Sequence, residues 1–211
     1  MNFDLTLYLV TDSTGMEEET FLSRVEAACR GGVTLLQLRE KQRGGGEYLR
    51  LARRVKEITD CWGIPLLIDD RVDVAMAADA AGVHVGQEDL PVEAARKLLG
   101  PDKIVGATAK TVEQALRANA QGADYLGVGA IYPTTTKVKT VLTSVDTLAD
   151  IVHESGLPVV AIGGLNAENC DILTGSGCSG IAVVSAVMGA ADPEQAARIL
   201  LDKVCTLRDQ T

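Results

Sequence analysis

The side chains best suited to chemistry stand where apolar runs stop. Gln37, Leu38, Arg39, Glu40 and Lys41 close one run, Asp69-Asp70-Arg71 the next, and Gly86-Gln87-Glu88-Asp89 a third. Thr108 closes a fourth, Pro133-Thr134-Thr135-Thr136-Lys137 a fifth, and Gly163-Gly164 and Val184-Ser185 the last two. Carboxylates at neighbouring strand ends, here Asp69, Asp70 and Asp89, can share a hard cation. Mg²⁺ needs one or two carboxylates, keeps several waters and accepts phosphate oxygens from a substrate. The competing role for Asp70 is a pair with Arg71 or Arg39, or a helix cap. Successive strand side chains point to opposite faces, so Asp69 and Asp70 both reach one ion only if the strand ends there.

The cations complement these acids. Arg39 and Lys41 lie two apart and share a face if the strand continues. Arginine grips phosphate with two N–H groups and lysine acts as a point charge. Lys137 follows three threonines whose hydroxyls suit an anion. Arg39, Lys41 and Lys137 on one rim fit a polyphosphate held together with Mg²⁺, or else a structural ring of salt bridges with Glu40, Asp70 and Asp89. Gly163-Gly164 and Val184-Ser185 fit either a backbone phosphate cradle or plain tight turns. Two phosphate sites on one rim imply two phosphorylated substrates, or one substrate with phosphates at both ends. No nucleophile stands out: there is no GxSxG and no Cys–His spacing. His84 lies inside an apolar run and reads as a core histidine, and His153 reads as surface. Lys41 and Lys137 both follow strands, but a Schiff-base lysine rarely has so many anion ligands around it.

Eight short runs must position these residues. They begin at Leu5, Val33, Pro65, Gly82, Lys103, Asp124, Pro158 and Gly180, and are apolar at both parities and rich in Val and Ile. Parallel strands covered on both faces have that character. Helical patterns such as VEQALRANA from Val112 and EQAARILLDKV from Glu194 lie between them. The junctions GGVTLL, AAGVHV, QGADYLGV and GSGCSGIAVV put glycine at a helix end just before a strand, where a left-handed cap is expected. Eight such units in 211 residues predict an α/β chain forming a single (β/α)8 TIM barrel over residues 1–211. An open doubly wound sheet is the runner-up, without a GxGxxG after the first strand to support it. Catalytic groups in a (β/α)8 barrel sit at the C-terminal strand ends, where the polar residues above fall.

Composition narrows the partners. With 20 Lys and Arg against 29 Asp and Glu, the net charge is −9, which argues against nucleic acid and an anionic membrane surface. No stretch approaches the ~20 apolar residues of a membrane span. The first residues, MNFDLTLYLVTD, lack the basic start and apolar core of a leader. The five cysteines, 29, 61, 170, 178 and 205, are scattered and without a CxxC pair. They read as reduced, mostly buried thiols of a cytoplasmic protein, and not as a metal site. Small-molecule substrates are expected, and a homo-oligomer is compatible with the sequence. Gly44-Gly45-Gly46 and TTTKVKT read as loops beside the rim.

The segments GVTLLQLREK, LLIDDRVDVAMAADAAGVHVGQEDLP, VGATAKTVEQA, GADYLGVGAIYPTTTK, VVAIGGLN and GIAVVSA resemble thiamine phosphate synthase, in order and over nearly the full chain. The resemblance implies a barrel enzyme that joins hydroxymethylpyrimidine diphosphate to thiazole phosphate, giving thiamine phosphate and pyrophosphate. It implies that Gln37, Leu38, Arg39, Glu40 and Lys41, with Asp69, Thr108 and Lys137, hold the diphosphate substrate, and that Asp70 and Asp89 bind Mg²⁺. It implies that Thr134, Thr135, Thr136, Gly164, Val184 and Ser185 hold the thiazole phosphate. Arg39, Lys41, Lys137 and Thr108 would then assist the departing charge. Asp69 stands where the family often has Asn, and Thr108 where Ser is usual. The neighbouring alternatives are a thiazole tautomerase of the same barrel group and a non-catalytic thiazole or thiamine phosphate binder.

Overall fold

The computed structural model describes residues 3–134 and 141–208. Eight strands alternate with helices. They are β1 (Leu7–Val10), α1 (Glu18–Arg30), β2 (Leu35–Leu38), α2 (Gly45–Cys61), β3 (Leu66–Asp69), α3 (Val72–Ala77), β4 (Gly82–Val85) and α4 (Val92–Leu99). Then come β5 (Ile104–Ala109), α5 (Val112–Ala120), β6 (Tyr125–Gly129), α6 (Val145–Ser155), β7 (Val159–Ile162), a 3₁₀ turn (Cys170–Leu173), β8 (Gly180–Val183), α7 (Ser185–Met188) and α8 (Pro193–Arg208). Each strand pairs in parallel with the next, and β8 pairs with β1 through Leu7↔Ile181, Tyr8↔Ala182 and Leu9↔Val183, which closes the barrel. The expected (β/α)8 architecture is what forms.

The strand period of two divides the core into shells. Leu7, Leu9, Leu36, Leu38, Ile68, Val83, Val105, Leu126, Val128 and Ile181 point outward and pack under helix faces that include Val25, Leu51, Val55, Leu148, Ile151 and Leu200. The alternate set of Tyr8, Val10, Leu35, Leu67, Ile104, Tyr125, Val160 and Ala182 fills the barrel interior. Helix starts are fixed locally where the sequence offers caps. Thr111 accepts the Gln114 N–H at 3.2 Å before α5, and Gln114 Oε1 reaches back to the Lys110 N–H at 2.8 Å. Ser144 caps α6 by accepting the Thr147 N–H at 3.1 Å, and Gly156 ends that helix in the left-handed region.

Several local expectations are corrected. Gly82 is strand, not cap: the left-handed residue of that connection is Asp79, at φ 49°. The Gly44–Gly46 run is not a free loop, because α2 begins at Gly45. Only Cys29 and Cys170 are buried thiols, while Cys61 and Cys205 are exposed.

Two interior glycines make room for polar rings. A Cβ at Gly106 would lie 2.2 Å from Cζ of Tyr125, and one at Gly127 would lie 3.1 Å from Cε1 of His84. Overpacking a closed barrel forces neighbouring side chains off their rotamers. Gly106→Ala should therefore lower the unfolding free energy by about 1–3 kcal/mol. In urea the expected result is a lower midpoint with an unchanged slope.

Candidate active site

A cleft opens at the C-terminal ends of the strands, walled in part by Gln37, Arg39, Asp69, His84, Thr108 and Lys110 on one side and by Gly163, Gly164, Val184 and Ser185 on the other. Its floor is a chain of polar contacts through the barrel interior. Gln37 Nε2 donates to the Tyr8 hydroxyl, the Tyr8 and Tyr125 hydroxyls are 2.8 Å apart, and His84 Nδ1 is 2.8 Å from the Tyr125 oxygen. His84 Nε2 lies 3.0 Å from Thr108 Oγ1, back at the cleft wall. Burial pushes both phenols up from their ordinary pKa, so both stay protonated.

The charged half of the mouth is built by the ends of β2, β3 and β4. β3 stops at Asp69, and Asp70 adopts a left-handed φ of 58°. The Asp70 N–H donates to the His84 carbonyl at 2.9 Å and the Arg71 N–H to the Asp69 carbonyl at 2.7 Å, which hold that turn. The strand has ended, so both acids reach one partner. Lys41 Nζ lies 2.9 Å from Asp69 Oδ2 and is hydrogen-bonded to Asp70 Oδ2. Arg39 Nε is 3.8 Å from Asp69 Oδ2. Asp69 is only 8% exposed, and its Oδ2 has ion-pair contacts without a well-directed hydrogen bond. Burial raises the pKa of Asp69 against the opposing pull of Lys41 and Arg39. Burial pulls Lys41 down, but Asp69 and Asp70 outweigh it and the net shift is upward. Asp89 accepts the Gly86 N–H at 2.9 Å. Burial and the adjoining Asp70 carboxyl both raise its pKa. Asp70 and Asp89 are thus neighbouring carboxylates on an exposed rim. Among the described residues no group of three or more His, Cys, Asp or Glu converges on one point. Two carboxylates with room for waters are a donor set that suits a hard cation such as Mg²⁺.

The facing half comes from β6 to β8. Gly163 and Gly164 have φ 107° and 63°. A Cβ at Gly163 would lie 2.4 Å from Cβ of Ala130, and one at Gly164 2.7 Å from the Pro133 carbonyl oxygen. Glycine is therefore required on both counts. Thr134, Val184 and Ser185 complete this wall.

Gln37, Arg39, Asp69, Thr108, Thr134, Gly164, Val184 and Ser185 all line the cleft, and Lys41, Asp70 and Asp89 cluster at its charged rim. Two residues expected to bind substrate do not face it. Leu38 is odd in register with Gln37, so its side chain lies in the strand–helix layer and its carbonyl accepts the Tyr48 hydroxyl at 2.6 Å. Glu40 turns toward the loop after β1 and accepts from Ser13 Oγ at 2.9 Å and Arg43 Nε at 2.8 Å. Asp70 pairs with Lys41 and not with Arg71, whose partner is Asp73. Thr135, Thr136 and Lys137 lie outside the described residues. Lys110, Tyr8 and Tyr125 were not anticipated. Lys110 lies two residues beyond Thr108, the same spacing that singled out Arg39 and Lys41. His84 is a polar floor residue rather than a buried core histidine.

Comparison with known proteins places this geometry. The family model described as thiamine monophosphate synthase matches residues 7–187. The chain is 54% identical over 200 residues to thiamine-phosphate synthase 2 of Streptococcus pneumoniae, covering 95% of each. It is 52% identical over 188 residues to the thiamine-phosphate synthase of Enterococcus faecalis, covering 89% of each. Among solved structures it superposes on thiamine phosphate pyrophosphorylase from Pyrococcus furiosus with a TM-score of 0.87 and 38% identity, over 96% of each chain.

The Lys41–Asp69 contact has a thermodynamic signature. Removing the half-exposed Lys41 leaves the buried Asp69 carboxylate without its nearest cation. Lys41→Met should destabilise the protein, and Asp69→Asn should recover most of that loss in the double variant. A urea double-mutant cycle should give a coupling of about 0.5–1 kcal/mol, because solvent screens the half-exposed Lys41. A cycle that closes to zero would show that the contact contributes nothing.

Proposed function

The chain belongs to the thiamine monophosphate synthase family, and from that premise we propose that it joins hydroxymethylpyrimidine diphosphate to thiazole phosphate at this cleft, with Mg²⁺ at Asp70 and Asp89. The observation that carries the reading is the two-ended mouth. Cations and carboxylates from β2–β4 gather on one side, and a glycine turn with Val184 and Ser185 faces them from β7–β8. One side suits a diphosphate with its metal, and the other a single phosphate.

The roles follow from charge. Arg39 and Lys41 receive the diphosphate, and Lys137 is assigned the same role. Lys41 exchanges part of its contact with Asp69 and Asp70 for phosphate oxygens. Bound Mg²⁺ supplies charge neutralisation for a leaving pyrophosphate. Gln37 orients the pyrimidine end, and the Thr108 hydroxyl faces the diphosphate. Thr134, Gly164, Val184 and Ser185 hold the thiazole phosphate, together with Thr135 and Thr136. The methylene C–O bond breaks with its electron pair leaving on pyrophosphate, and the thiazole nitrogen lone pair forms the new C–N bond. That nitrogen carries no proton, so the reaction needs no general base. The protein contributes position and a preorganised field.

Purified protein given both substrates should form thiamine phosphate and pyrophosphate with Mg²⁺, and neither with excess EDTA. Asp70→Ala and Asp89→Ala should each lower turnover by about 100-fold or more while leaving the circular dichroism unchanged. Lys137→Ala should do the same. Thiazole phosphate binding without product would instead identify a non-catalytic binder.

A further inference from the structure

The floor chain can run its proton donation in one of two directions, set by the Gln37 amide. Gln37 donates an amide N–H to the Tyr8 oxygen, so the Tyr8 proton must go elsewhere, and the Tyr125 oxygen is its partner at 2.8 Å. Tyr125 has then accepted from Tyr8, and its own proton goes to His84 Nδ1. With Nδ1 accepting, the neutral ring carries its proton on Nε2 and donates to Thr108 Oγ1. The Thr108 proton is then left to point at the cleft, where Thr108 forms part of the wall. A doubly protonated ring would leave one phenol proton without an acceptor. The opposite direction, with Gln37 turned to accept from Tyr8, makes Thr108 donate to His84 and aims a lone pair into the cleft.

We propose that His84, Tyr125 and Tyr8 are positioning residues that hold the Thr108 hydroxyl as a donor toward the pyrimidine diphosphate. This rests on the proposed function, because a diphosphate offers only acceptors and a lone pair aimed at it would repel it. Direction, rather than the mere presence of a hydroxyl, makes Thr108 useful. It also links Gln37 on β2 to Thr108 on β5 across the barrel, two wall residues that share no direct contact. The chain lies in the interior shell among Val10, Leu35, Leu67 and Val160, where alternative water partners are scarce and hydrogen-bond polarity persists.

The direction can be read without any turnover. His153 is the other histidine, with its side chain 86% exposed. In uniformly ¹⁵N-labelled His153→Gln protein, long-range ¹H–¹⁵N correlation should show His84 as the Nε2–H tautomer. An Nδ1–H or doubly protonated ring overturns the proposal, whether or not thiamine phosphate forms. Kinetics test the consequence. Tyr125→Phe keeps the ring and removes the link. It should lower kcat/KM for the pyrimidine diphosphate by about 10–100-fold while moving KM for thiazole phosphate by less than about twofold. Thr108→Ser should retain activity, and Thr108→Val should lower kcat/KM for the pyrimidine diphosphate by at least about the same 10–100-fold while leaving a measurable rate. In the Thr108→Val background Tyr125→Phe should cost less than about twofold, because the group it acts through is gone. An equal cost in both backgrounds would show a structural role and overturn the assignment.

Discussion

The cleft depends on one ammonium shared by two carboxylates. Asp69 is buried at the end of β3, and an uncompensated buried carboxylate costs several kcal/mol. Lys41 Nζ at 2.9 Å offsets that cost and engages Asp70 as well. The contact exists because β3 stops at Asp69 and the next residue turns left-handed, which brings a second carboxylate to the same side. A non-glycine residue in that region is strained, and such strain persists where the surroundings over-determine it. Here the His84 carbonyl and the Arg71 N–H pin the turn. The result is an acidic rim that does not simply repel an anion, since its nearest carboxylates already hold a cation that an arriving phosphate can share.

The barrel supplies the frame by sorting residues between two shells. Outward side chains are uniformly apolar and meet the helices. Inward ones change character along the barrel axis, from Leu35, Leu67 and Ile104 at the bottom, through the Tyr8, Tyr125 and His84 rings, to Gln37, Asp69 and Thr108 at the mouth. Glycines at 106 and 127 are what admit the rings. Polar atoms in that middle layer are satisfied by one another, which is the condition for burying them at all.

Much of this was legible in the sequence because a parallel barrel leaves few options. Apolar runs at both parities mark strands, and the residue after each run lands on one rim. That reasoning placed Arg39, Lys41, Asp69, Asp70, Asp89, Thr108, Gly164 and Ser185 together. Side-chain direction, unlike position, does not follow from that reasoning. Leu38 follows Gln37 by one residue, so the pleat turns it outward. Glu40 follows the strand end and answers to Ser13 and Arg43 instead. The left-handed turn at Asp70 leaves no mark in composition, and neither does the left-handed Asp79 that replaces an expected glycine. Tyr8 and Tyr125 carry no such signal, because a hydroxyl's partner across the barrel is a tertiary fact.

The net charge of −9 and a substrate rich in phosphate are compatible because of distance. Exposed charges more than ~8 Å apart are largely screened at physiological salt. Acids such as Glu18 with Arg50 and Arg54 or Asp60 with Lys56 are on outer helices and paired there. What an anion meets at the mouth is the local field of Arg39 and Lys41, held in place by buried Asp69. A cation fixed against a buried wall acts more strongly than a mobile surface one. The buried carboxylate is therefore the reason the cations stay aimed at the cleft in the absence of substrate, and its burial is part of the same preorganisation that lets position and charge do the chemistry without a base.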